Sequence, residues 1–189
     1  GLAPKWSLKI AEARAREVEE QLRGDGHRKV LRNMYGDKPA WTPKLSGPER
    51  FRAIVNVFTR MRYCTPAGRI GFDDKGRPGT QKPGMYPWFE VPGHTPRELP
   101  VVCGHWSTLG LFMGLGIYSI DTGAVWGGKL TALQLDAETL HVVQVPGRDV
   151  PASPPRPGGR EGCRFRFPPA PREASRSCWS QPRPASACS

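Results

Sequence analysis

The sequence predicts an α/β domain over residues 1–146, with a segment of different character behind it. Three observations carry this. Segments in the first third repeat their apolar residues at helical spacing, and segments beyond residue 100 are short, branched and apolar. From Gly147 onward the composition shifts to proline, arginine and serine. The order implies about three N-terminal helices, then a mostly antiparallel sheet, then a disordered tail over residues 147–189.

The first helix spans Trp6 to Leu22. Ser7 can cap its open amides, Leu8, Ala11, Ala15, Val18 and Leu22 form one apolar stripe, and Gly24 can end it in the left-handed conformation. Glu17, Glu19 and Glu20 read as its solvated face. A shorter helix covers His27 to Met34 and stops before Gly36. Pro48 then suits a first helical turn, and Glu49 to Arg62 supplies a third helix with Phe51, Ile54, Val55, Phe58 and Met61 on its core side.

After a short strand at Tyr63, a long Gly/Pro-studded excursion runs from Thr65 to Pro100, of the kind that serves a site or wanders in solution. Val101 to Cys103 reads as a buried strand that must turn at Gly104, presenting His105 at a strand's end. Gly116 to Ile120 and Gly128 to Leu135 are further strands, and Leu140 to Val145 is the hairpin partner of the latter. His94 and His141 read as an exposed and a structural histidine.

The formal charge of +11 is unevenly spread. Residues 1–146 hold 20 Lys+Arg against 14 Asp+Glu, a net of +6, and residues 147–189 hold 8 against 3, a net of +5. With nine prolines and no Leu, Ile or Met, the tail lacks the apolar surface to offset chain entropy. Its arginine bias leaves open an out-of-frame extension, an inert linker or an RNA-binding arm. Five cysteines, an odd count without metal-finger spacing, indicate reduced thiols and a cytoplasmic setting, not a disulfide framework. No apolar run approaches the roughly 20 residues of a spanning helix. The chain opens at Gly1 without methionine, which points to residues upstream.

Two groups of residues invite chemistry. Arg50, Arg52, Arg60 and Arg62 crowd the third helix with only Glu49 beside them as a counter-charge, and forked guanidiniums suit phosphate oxygens. His105 is either a loop histidine bonded to a carbonyl or a metal or phosphate contact; its spacing alone leaves both open.

Met34-Tyr-Gly-Asp-x-Pro, Trp41-x-Pro-x-Leu-x-Gly47, Asn56-x-Phe-Thr-Arg-Met-Arg-Tyr-Cys64, Pro87-Trp-Phe89, Gly104-His-Trp106 and the run Gly116 to Leu130 resemble the C-terminal half of the bacterial symmetrical diadenosine tetraphosphatases, over residues 1–145. That family belongs to the calcineurin-like metallophosphoesterases, in the phosphoprotein-phosphatase branch. The resemblance implies half of an α/β sandwich and a cytoplasmic enzyme that splits diadenosine tetraphosphate into two ADP, with capped RNA as a further substrate. It also implies two divalent cations, manganese or cobalt. His105 matches the family's late metal-binding histidine. Arg60 and Arg62 become the leading phosphate contacts, with Arg52 beside them, and Asp121 either orients the site from behind or makes a structural turn.

The family's Gly-Asp-x-His-Gly, Gly-Asp-x-x-x-Arg-Gly and Gly-Asn-His-Asp motifs, which supply most ligands and the proton donor, do not occur in this chain. No residue matches a catalytic group. One imidazole cannot hold two hard divalent ions, so the chain by itself is expected to hold no metal pair and to be inactive. A related serine/threonine protein phosphatase fragment and a non-catalytic basic RNA-binding protein are the alternatives.

Overall fold

The computed structural model describes residues 1–136 and 139–149. The tail expectation lies outside these residues, apart from positions 147–149.

Three helices open the chain: α1 (Leu8–Arg23), α2 (His27–Met34) and α3 (Gly47–Arg60). Ser7 caps α1, its Oγ accepting from the Ile10 amide at 3.4 Å. Gly24 ends α1 in extended, not left-handed, backbone, because the chain leaves through a turn in which the His27 amide bonds back to the Gly24 carbonyl. On the apolar side of α3 Phe51 and Ile54 are buried, as is Met61 just past its end, while Val55 and Phe58 are half-buried, and Ala53 and Val57 join the core instead.

Eight short strands follow: β1 (Tyr63–Cys64), β2 (Tyr86–Pro87), β3 (Val101–Cys103), β4 (Phe112–Gly114), β5 (Ile117–Ser119), β6 (Asp121–Thr122), β7 (Lys129–Gln134) and β8 (His141–Pro146). They form three sheets, ordered β1-β2, β3-β5-β4 and β6-β7-β8. One sheet is mixed and two are antiparallel: every strand pairing is antiparallel except β3 with β5, which run parallel. Three helices with mixed and antiparallel sheets is an α/β arrangement, and the expected hairpin is β7–β8.

Four strands differ from their reading. β2 and β6, two residues each, fall where a loop and a turn were expected. β3 is an edge strand, so Val102 is 40% exposed and not buried. β4 had no sequence signal; it pairs with β5 through a tight turn in which both Leu115 (φ 50°) and Gly116 (φ 71°) are left-handed. A leucine in that position hides the turn.

The core is aromatic. Trp6, Tyr63, Trp88, Phe89 and Trp106 are buried together with Ile54, Val57, Cys64, Val91 and Ile117. Phe89 meets Phe112 in a stacked pair at 5.6 Å and Tyr63 meets the Trp106 edge at 4.6 Å. Trp88 and Phe89 thereby fix the far end of the long excursion. Its middle is fixed by two adjacent carbonyls: Gly76 O accepts from Trp106 Nε1 at 2.9 Å and Tyr63 Oη at 3.1 Å, and Lys75 O accepts from Thr108 Oγ1 at 2.7 Å. Burial pushes the Cys64 thiol up to about 12, so it packs as a small neutral apolar group.

The hairpin end is closed by glycine. A Cβ on Gly147 would run into the Ala124 backbone, and the Gly147 and Arg148 amides bond to Gly128 O at 2.8 Å and Ala124 O at 2.9 Å.

Candidate functional site

Parallel pairing of β3 with β5 brings two strand ends side by side, and each carries a candidate residue. His105 stands two residues after β3 and Asp121 two residues after β5. The Ile120 amide bonds to Cys103 O at 3.0 Å, which carries the register up to the site. Gly104 has Asp121 Cβ 3.6 Å from where its own Cβ would stand, so the two strand ends meet there.

The turn falls on His105 itself, at φ 68°, and not on Gly104. A non-glycine residue in that region costs of order 1 kcal/mol and persists where its surroundings enforce it. Two anchors do so. Arg62 Nη2 donates to His105 O at 3.0 Å, and the next residue, Trp106, is buried with its indole N–H on Gly76 O. His105 is left facing solvent, although partial burial of its ring, and then Arg62, hold its pKa below the usual histidine value. A neutral imidazole at neutral pH is the form that ligates metals.

The four arginines take different partners, and their counter-charges come from distant sequence. Arg50 makes a forked pair with Glu17, at 2.8 and 3.0 Å, over the Trp41 ring. Glu17 thus joins α1 to α3 and also pairs with Arg14, instead of only facing water. Arg52 donates to Asn33 O at 2.8 Å and Lys38 O at 3.0 Å. Arg60 pairs with Asp37 at 2.9 Å and donates to Asn56 Oδ1 and Gly36 O. Arg62 has one bond, to the His105 carbonyl, among the described residues, and no described carboxylate lies in ion-pair contact with it. Burial first, and Arg60 second, lower its pKa, yet a guanidinium stays charged at neutral pH. Arg62 is therefore the cation with open N–H groups beside His105.

Asp121 Oδ1 accepts from the Gly123 amide at 3.1 Å, a turn contact made next to His105. His94 is half-buried, its Nδ1 2.8 Å from Val91 O, and His141 is exposed on β8.

The donor set tests whether this chain holds metal. Among the described residues no three His, Cys, Asp or Glu side chains come together. His105 and a turn-making Asp121 do not fit a pair of hard divalent cations. No helix among the described residues is long and apolar enough to cross a membrane.

No family model matches the chain. It is 68% identical over 158 residues to the symmetrical bis(5'-nucleosyl)-tetraphosphatase of Xanthomonas campestris, covering 82% of this chain and 49% of that protein. The proteins of the same name from Xanthomonas axonopodis and Xylella fastidiosa are 66% and 65% identical, over 85% and 79% of this chain and 51% of each of theirs. The chain spans about half the length of the curated relatives it matches.

Proposed function

From its kinship with the symmetrical bis(5'-nucleosyl)-tetraphosphatases over about half their length, we propose that the chain corresponds to the C-terminal half of such an enzyme. That half, a portion of a calcineurin-like fold over residues 1–146, supplies the phosphate-facing side of the site. The complete enzyme hydrolyses diadenosine tetraphosphate to two ADP, in the cytoplasm, with the help of two divalent cations. The observation that carries the reading is the Arg62–His105 contact at the adjoining ends of β3 and β5.

In this reading Arg62 donates its open N–H groups to the polyphosphate and, through the His105 carbonyl, fixes the histidine's angle. Arg60, already paired with Asp37, adds charge from one step further out, and Arg52 supports the loop rather than the phosphate. His105 is the one metal-facing ligand of the chain, and Asp121 holds the turn beside it. Because the remaining ligands and the proton donor have no counterpart here, the chain alone binds substrate without cleaving it. The relatives' names favour this reading over a protein phosphatase. The alternative of a basic RNA-binding arm rests on residues outside those described.

Titrating the full chain with diadenosine tetraphosphate in the absence of metal is expected to give saturable binding that weakens as salt is raised. Absence of saturable binding would contradict the proposal.

A further inference from the structure

The loop between α2 and α3 presents an aromatic ring that the core does not use. Tyr35 is 80% exposed, which is far beyond what a packing aromatic shows. Its mounting is nevertheless rigid. Buried Asn56 donates to Gly36 O at 2.8 Å, Arg52 ties Asn33 O and Lys38 O, and Arg60 binds the Asp37 carboxylate. Three side chains of one helix thus hold the backbone on both sides of Tyr35.

The ring is also backed by charge. The Arg60 guanidinium lies over two aromatic rings, 4.9 Å from the Tyr35 centroid and 4.4 Å from that of Phe72. One face of Tyr35 meets this cation and the rest of the ring is open. A flat cationic partner would be repelled by Arg60, whereas a neutral heteroaromatic ring can stack on the open face. Two residues on in sequence, and close enough for Arg60 to lower its pKa, Arg62 stands beside His105 with a single bond among the described residues, to the His105 carbonyl. A stacking face next to a cation matches a ligand with a base at one end and phosphates at the other.

We propose that Tyr35 is a stacking platform for the base of a nucleoside polyphosphate whose phosphates extend toward Arg62. This rests on the function proposed above and adds a base-binding position to it. The test is calorimetric titration of the full chain, and of its Tyr35→Ala and Tyr35→Trp variants, with ADP and with tripolyphosphate. Tyr35→Ala is expected to weaken ADP about tenfold, equivalent to about 1.4 kcal/mol, and to leave tripolyphosphate unchanged. Tyr35→Trp is expected to bind ADP at least as tightly as the parent. Equal ADP affinity in the parent and Tyr35→Ala overturns the proposal, as does equal loss for both ligands. If tripolyphosphate binds the parent and Tyr35→Ala leaves ADP unchanged, only the stacking inference fails. If neither ligand binds, the phosphate-binding function fails with it.

Discussion

Trp106→Ala is expected to destabilise the folded chain by about 3–5 kcal/mol, enough to unfold a domain of ordinary stability. The indole is 3% exposed and touches Tyr63 and Phe89, so truncation opens a cavity where three aromatic rings meet. It also removes the N–H that holds the Gly76 carbonyl, and with it the middle of the long excursion. Trp106→Phe separates the two effects. It keeps most of the ring volume and loses the hydrogen bond, which is worth about 1 kcal/mol. Denaturant midpoints of both variants, with unchanged slopes, check the ordering. Because Trp106 also braces the left-handed His105, the Phe variant should still bind tripolyphosphate, but with a histidine resonance shifted from that of the parent.

Arg62→Ala is expected to weaken binding of tripolyphosphate about 10- to 100-fold, since a hydrogen bond to a charged group contributes roughly 1.5–3 kcal/mol. Arg52→Ala, in contrast, should leave that affinity within about twofold and instead lower stability, because its guanidinium is bonded to the Asn33 and Lys38 carbonyls. Arg60→Ala should fall between them: its charge is near the site but already answered by Asp37. Arg62→Lys keeps the charge and loses the fork, so it should recover only part of the affinity. Parallel titrations of the four variants at one ionic strength give the ranking. Equal losses for Arg52→Ala and Arg62→Ala would mean that the effect is bulk charge and not a contact.

The helices α1 and α3 were legible because their apolar residues repeat at one period and their starts carry Ser7 and Pro48. The β7–β8 hairpin was legible for the same kind of reason, alternation on both sides of a polar turn. What the sequence concealed is mostly long-range. Glu17 lies 33 residues from Arg50 and Asp37 lies 23 from Arg60, so neighbouring residues made those arginines look unpaired. The Gly76 carbonyl is backbone, and no residue type announces that it will receive the Tyr63 and Trp106 donors. The strand at Phe112–Gly114 was hidden by a turn carrying leucine at positive φ where asparagine or glycine is expected. His105 itself was found by motif. Its unusual backbone, and the arginine that holds its carbonyl, are properties only of the folded chain.

The same division holds for the chemistry. The motif around Arg60 and Arg62 pointed to phosphate without saying which arginine turns to the site. Arg60 is paired with Asp37, while Arg62 bonds only to the His105 carbonyl among the described residues, and the proposed function gives the phosphate to Arg62 on that difference. The described residues bring one strand-end histidine and one adjacent carboxylate to this place, too few donors for two divalent cations.

The most direct test of the account is nucleotide analysis after incubating the full chain with diadenosine tetraphosphate and manganese or cobalt, beside the Xanthomonas campestris relative under the same conditions. The account predicts ADP from the relative and none above background from the chain, although the chain binds the dinucleotide. Release of ADP by the chain alone, abolished by His105→Ala, would contradict it.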